Sequence, residues 1–355
     1  MRQTLSKFAR SFKVAARKKV ATTLAPFLRP IWGGKGCIVM LHRVLPAPTT
    51  PRQRFGPEQH YEDSVEHVEK IVHWFFRNGY DPINIDQVEE RIKQKNGRRF
   101  VVFTVDDGYI DGYQHIRPLF KRLNIPWTFY ISTAHINRTV LLDAHLLERR
   151  ILAGDIPITL ELPDSSVSTC YCNSSRECDE FISKVVSFSK QMEWEKYRDW
   201  CWEQLGRQNL EDLADQLCCN WDQVREMAHD PNIIIGAHSV THSPLALVSA
   251  PQLGIEVRDS RKIIESKIDM PVDHFAYPYG SVSMRVIEEV KKAGYSTAVT
   301  TTCCNLFEQN ARHIHALPRI SWGANDETTF NTAVSGADSF ILFRGQRFTT
   351  RGIPD

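Results

Sequence analysis

The chain has 355 residues, 42% of them hydrophobic and 24% charged, with a formal net charge of +2. That is the make-up of an ordinary soluble globular protein, long enough for one large α/β domain or two small ones. No run approaches the roughly 18 apolar residues of a membrane span. Residues 1–35 hold nine Lys/Arg and no acid, leaving 35 basic against 42 acidic residues elsewhere, so the body keeps no basic stripe for nucleic acid.

In residues 1–35, Phe8, Phe12, Ala15 and Ala16 recur at helical spacing, with Lys7, Arg10, Lys13, Arg17, Lys18 and Lys19 between them. This predicts a basic amphipathic helix suited to an anionic membrane surface, with peripheral contact through residues 1–30. A helix packed under the main domain, or a frayed tail, is the competing reading. The apolar stretch Val20–Leu28 is too short and too broken by threonines and a proline for a cleaved signal peptide.

From Cys37 the chain alternates strands and helices. Cys37–Leu41 reads as a buried strand with His42 and Arg43 at its end. A helix is expected over Tyr61–Asn78, stopped by Gly79. The run from Val101 to Val105 reads as a strand buried on both faces, ending at Asp106-Asp107-Gly108. A helix over Tyr113–Leu123 and a strand over Pro126–Ile131 follow. This order implies parallel pairing with crossover helices, hence an α/β sheet or barrel whose first part spans 36–136.

Residues 137–220 break the rhythm, with a strand pair around Ile156–Leu162 and helices near Glu180–Gln191 and Glu193–Leu217. Trp194, Trp200 and Trp202 make them too apolar for disorder. They read as a mainly helical insertion with a small core of its own and no suggestion of chemistry, a lid over the site being the competing reading. The second part, 221–340, holds a helix at Trp221–Met227, a strand Asn232–His238 and the run Ser239-Val-Thr-His242. A helix at Pro251–Lys267 and a strand from His274 into a Pro278-Tyr279-Gly280 turn come next. A helix at Val286–Ala293, a strand at Tyr295–Thr300 and a closing helix at Glu327–Val334 complete it; 341–355 is a tail.

The nine cysteines are odd in number, include two vicinal pairs and form no C-x-x-C. Cys170, Cys172 and Cys178 cluster without a fourth ligand, a poor zinc site. Free thiols imply a reducing compartment, so the expected placement is the cytoplasm, at the inner face of the membrane if the N-terminal helix docks there. On that reading the sequons at Asn137 and Asn173 carry no meaning.

Asp107-Gly108 alone reads as a turn. His238 and His242, four residues apart, would face one side if the chain turned helically after the strand. Two imidazoles and a carboxylate suit a catalytic divalent metal. Each pair ends a buried strand, and in parallel α/β folds those carboxyl ends form one rim where active sites collect.

On these residues the sequence resembles the polysaccharide deacetylases of the NodB-homology type, carbohydrate esterase family 4. Thr104-Val-Asp-Asp-Gly108 resembles the T-F-D-D-G motif and His238-Ser-Val-Thr-His242 the H-[ST]-x-x-H motif. Phe275-Ala-Tyr-Pro-Tyr-Gly280 resembles a variant of the R-x-x-P-Y element. Met40–Val44 and Leu317–Ile320 resemble flanking segments. The resemblance implies a distorted (β/α) barrel that hydrolyses an N-acetyl group from an aminosugar, as polymer, lipid-linked or nucleotide sugar. It implies a divalent metal, usually zinc, on Asp107, His238 and His242, with Asp106 as general base. The Tyr279 backbone N–H would meet the oxyanion, in a turn begun by Pro278.

Phe275 stands where that family has an arginine, so Asp106 is expected to be held by Arg319 or Arg43. No fourth motif is found. His315, in about the region of the fifth, is the candidate general acid, and His42 and Arg319 are candidate pocket residues. The competing functional readings are a non-catalytic glycan- or partner-binding relative, and an amidase or deformylase on another N-acyl group. Glycoside hydrolysis is disfavoured, because its carboxyls stand roughly 5–9.5 Å apart on both sides of the sugar.

Overall fold

A computed structural model describes residues 23, 25, 27–47, 54–321 and 327–337. Most of the expected N-terminal amphipathic segment and the whole 341–355 tail lie outside them. No helix among the described residues is long and apolar enough to cross a membrane.

Eight strands form one sheet: β1 (Gly36–Leu41), β2 (Asp81–Pro82), β3 (Phe100–Val105), β4 (Trp127–Ile131), β5 (Ile233–Ala237), β6 (His274–Ala276), β7 (Thr297–Val299) and β8 (Ile320–Ser321). Their order is β7-β6-β5-β4-β3-β1-β8, with β2 beside the start of β3, and every pairing is parallel. The chain entering β8 also runs along β7: Leu317 N donates to Ala298 O at 2.9 Å and Thr300 N to Leu317 O at 2.8 Å. The two sheet edges therefore meet, and the sheet curls into the distorted (β/α) barrel expected.

Both faces of the strands are covered, which is why β3 is a run of apolar and β-branched residues and all six are buried. Side chains alternate along a strand, so neighbours enter different cores. Phe100 and Val102 join Ile38, Tyr130, Ala276 and Leu317 inside the barrel. Val101, Phe103 and Val105 pack outward, against Val72 and Phe75 of the helix Val65–Arg77. That helix starts four residues later than the sequence suggested. Glu62–Ser64 pairs in parallel with Arg43–Leu45 instead, and Ser64 Oγ caps the helix by accepting from His67 N at 3.1 Å.

Between barrel strands β4 and β5 lie the antiparallel pair Ile158–Glu161 and Val167–Cys170, and helices including Asp143–Leu152, Ser175–Ser189 and Arg207–Leu217. They share a cluster of their own around Leu147, Ile158, Cys178, Ile182 and Leu213. Phe55, Tyr109 and Ala134 from the barrel's loops join that cluster, so the insertion is seated on the barrel rim.

Candidate active site at the carboxyl rim of the barrel

The carboxyl ends of β1, β3, β4, β5 and β6 open into one cleft of about 370 Å³. Asp106 and Asp107 border it just past β3, and His238 and His242 just past β5. The run Asp106-Asp107 departs from a strand at its second member. Asp106 N still donates to Leu41 O at 2.9 Å. Asp107 turns into the left-handed region at φ 79°, as do His242 at 61° and Tyr279 at 57°. Non-glycine residues rarely adopt that conformation, and such strain gathers at functional sites.

Asp106 faces a fixed partner. Arg319, with no exposed surface, sets Nη1 at 2.7 Å from Asp106 Oδ1 and Nη2 at 2.6 Å from Oδ2. The same guanidinium donates to Thr104 Oγ1 at 3.0 Å and to the Thr300 carbonyl at 2.9 Å, and so is itself fixed. Burial works against ionisation of Asp106, but Arg319, helped by His238, outweighs it and lowers the pKa below the usual value. Arg319 thus fills the role left open by Phe275, a buried core residue. Arg319 does not line the cleft itself: four of its five N–H groups are engaged inside the protein. Arg43 turns elsewhere, to Asp111 at 2.8 Å and Glu62 at 3.3 Å.

Asp107 has the opposite surroundings. His238 Nε2 lies 3.3 Å and His242 Nε2 3.1 Å from its Oδ1, which makes no hydrogen bond. One ligand atom from each of the three residues falls within 4.8 Å of the others, and no other such trio occurs among the described residues. His238 Nδ1 is 2.8 Å from the Ala276 carbonyl, so a neutral ring donates there and turns a lone pair towards Asp107. His242 Nδ1 is 3.2 Å from the Tyr279 hydroxyl. Two lone pairs and a carboxylate oxygen facing one another call for a proton or a cation between them, and a divalent metal fits this donor set. Burial pushes the Asp107 pKa up, but the two imidazoles prevail and hold it well below the usual range. Burial disfavours charge on His238, while Asp107 and Asp106 raise its pKa on balance.

The two histidines do not meet through a helix. Ser239 also has φ 65°, and its Oγ accepts from His242 N at 3.0 Å. Glu256 holds the turn, accepting from Val240 N at 3.0 Å, Thr241 N at 2.9 Å and Thr241 Oγ1 at 2.7 Å.

His42 borders the cleft, its ring 4.8 Å from that of Tyr61, with its pKa lowered chiefly by burial. Pro278 is buried at the start of the turn that presents Tyr279. His315 is not brought to the cleft. Its Nε2 lies 2.8 Å from the Tyr295 carbonyl, ahead of β7 and so at the opposite end of the barrel from the rim.

Several cleft residues carried no sequence motif. His135, just past β4, is 2% exposed; its ring lies 5.4 Å from that of His242, and its Nδ1 is buried without a hydrogen-bond partner. Burial lowers its pKa to about 3. Its place after the carboxyl end of β4, on the same rim, is the signal that could have found it. Glu58 follows no strand and gave no signal; burial, then Asp107 and Asp143, push its pKa up to about 7. The insertion, expected to be chemically silent, supplies Asp143, His145, Lys190 and Trp194 to one wall. Lys190 Nζ stands 5.4 Å over the Tyr279 ring.

This barrel with a carboxylate and two imidazoles on its rim is the architecture of a hydrolase-type site. The chain belongs to the polysaccharide deacetylase family, whose model, described as "Polysaccharide deacetylase", matches residues 93–298. The match includes Asp106, Asp107, His238, His242 and Tyr279 and stops short of Arg319. The chain is 20% identical over 235 residues to YxkH of Bacillus subtilis, whose name assigns it to the polysaccharide deacetylases. That alignment spans 66% of this chain and 56% of YxkH, little more than half the relative's length. Two solved structures are similar in fold. IcaB from Ammonifex degensii has a TM-score of 0.53 and 15% identity, covering 85% of this chain and 97% of that one. The Streptococcus pyogenes deacetylase PplD, in complex with acetate, has a TM-score of 0.52 and 14% identity, covering 82% and 94%.

Proposed function

We propose that the protein is a metal-dependent deacetylase that hydrolyses the N-acetyl group of an aminosugar in a glycan or glycan precursor, releasing acetate and a free amine. The observation that carries this reading is the division between adjacent carboxylates, Asp106 paired on both oxygens with Arg319 and Asp107 left facing two imidazoles. In support stand the family membership and the acetate complex of the similarly folded deacetylase PplD.

On this reading Asp107, His238 and His242 hold the metal, zinc before other divalent ions. When bound, such an ion lowers the pKa of a water from 15.7 towards roughly 7 and polarises an amide carbonyl. Asp106 is the base that takes the proton of the attacking water. Arg319 keeps it ionised and fixes its plane, and each carboxylate oxygen retains a lone pair beyond its bond to the guanidinium. The Tyr279 N–H, aimed by its left-handed turn, donates to the oxygen that becomes negative. Residues 36–136 and 221–340 form the catalytic barrel, and 137–220 adds the wall that holds the sugar.

The test loads the full chain with zinc and measures acetate released from N-acetylglucosamine oligosaccharides. Release that disappears on chelation and returns with zinc is expected. A chain that binds no divalent metal, or releases acetate equally well without one, removes the proposal.

A further inference from the structure

We propose that Cys172 and Cys178 are a modification site, joined by a disulfide that pins the insertion's second strand to its central helix. Cys178 is fully buried in the first turns of the helix Ser175–Ser189, and Cys172 is half-buried in the loop leaving the strand Val167–Cys170. Their sulfur atoms lie 2.7 Å apart, closer than unbonded sulfurs settle and a fraction of an ångström from the bonded length of about 2.05 Å.

The loop is built to hold that approach. Glu177 accepts from Tyr171 N and Asn173 N, each at 2.8 Å, folding the chain back over the helix start. Ser174 Oγ caps the helix by accepting from Glu177 N at 3.2 Å, and Cys172 takes φ 56° to make the turn. A metal is not the explanation. Asp107, His238 and His242 are the one trio of ligand atoms that converges among the described residues, so Cys170, Cys172 and Cys178 do not form a second.

The oxidant is an external disulfide of the kind an oxidising compartment supplies. Cys172, the more exposed of the two, attacks it as a thiolate, forming a mixed disulfide and releasing one thiolate. Cys178 then loses its proton to water and attacks Cys172 Sγ, expelling the second. Two S–H bonds are lost, one S–S bond forms, and the oxidant leaves as two thiols. Burial pushes the Cys178 thiol up, so it reacts second, against a mixed disulfide held beside it. The cross-link braces the helix whose far end presents Val186 and Ser189 to the cleft. It also reverses, for this pair, the expectation that every cysteine stays reduced.

The experiment equilibrates the full chain with glutathione disulfide, alkylates remaining thiols, and maps tryptic peptides by mass spectrometry. Trypsin cuts after Arg176, between the two cysteines, so the link holds two peptides together until a reductant is added. Joined peptides are expected from the wild type and from Cys170→Ser, and separate ones from Cys172→Ser and Cys178→Ser. Complete alkylation of both cysteines in the folded wild type overturns the proposal. So does a joined pair that survives Cys172→Ser and is lost in Cys170→Ser.

Discussion

Asp106 and Asp107 are joined by one peptide bond and have opposite surroundings. Asp106 gives both oxygens to a guanidinium that has no exposed surface. Asp107 presents an oxygen without a hydrogen bond to two imidazole nitrogens at 3.1 and 3.3 Å. The first is a completed pair that makes one geometry rigid; the second is a donor set with its charges unbalanced. The difference teaches that burial alone does not mark a ligand. What marks it is a buried acceptor that the protein itself leaves unsatisfied.

Stability separates the two most strongly. Arg319→Met leaves Asp106 buried without its counter-charge and should cost about 3–5 kcal/mol in urea unfolding. Asp107→Asn in metal-free protein should cost less, because the amide keeps the shape and polar contacts of the side chain and leaves no carboxylate buried without a counter-charge. Equal losses would break the comparison.

Acid acts on the two sites in different windows. The pKa of Asp106 is lowered, so its contribution is fully present above the ordinary carboxylate value near 3.8 and is lost as pH falls through the lower folded value. His238 is raised above 6.5 in the metal-free protein, so protons compete for it from neutral pH downwards. Titration calorimetry with zinc should show affinity weakening by up to roughly tenfold per pH unit below neutrality for each proton displaced, while the fold persists. Zinc affinity independent of pH between 8 and 6 would contradict the ligand set.

Glu58 gives a smaller effect of opposite sign. Its folded pKa of about 7 lies above the ordinary glutamate value, so it disfavours the folded state increasingly as pH rises from about 4.5 to 7. Glu58→Gln should raise the thermal midpoint of metal-free protein at pH 8 and leave it unchanged at pH 4. No gain at pH 8 would mean that burial and its acidic neighbours do not hold Glu58 above the ordinary glutamate value. The smallest effect is expected in the insertion wall, where Lys190→Ala should raise KM a few-fold with kcat unchanged. An equal loss in kcat would place the wall in the chemistry rather than in binding.

The sequence made the strands legible because burial on both faces writes itself as runs such as Phe100–Val105. It made the rim legible because Asp107 and His238 each end such a run. What it left open was set by long-range geometry. Arg319 and Arg43 were equal candidates for Asp106, and only the fold shows that Arg43 is spent on Asp111 and Glu62. His315 lay in the right region of the chain at the wrong end of a strand. The segment runs along β7 towards the rim, so Arg319, four residues on, arrives at the site and His315 does not. The helical turn expected between His238 and His242 was replaced by two left-handed residues and a Glu256 anchor, which no local periodicity encodes. The aromatics that suggested a core in the insertion only flank it: Trp200 and Trp202 pack against the cluster around Leu147 and Ile182, while Trp194 lines the cleft, which depends on how the insertion seats on the barrel.

The division of labour between the two carboxylates is tested most directly by measuring metal content and acetate release together in Asp106→Asn and His238→Ala. Asp106→Asn should retain bound zinc at the wild-type ratio while activity falls by about 10²–10⁴-fold, and His238→Ala should lose zinc and activity together. Full activity in Asp106→Asn, or zinc retained at the wild-type ratio in His238→Ala, would contradict the account.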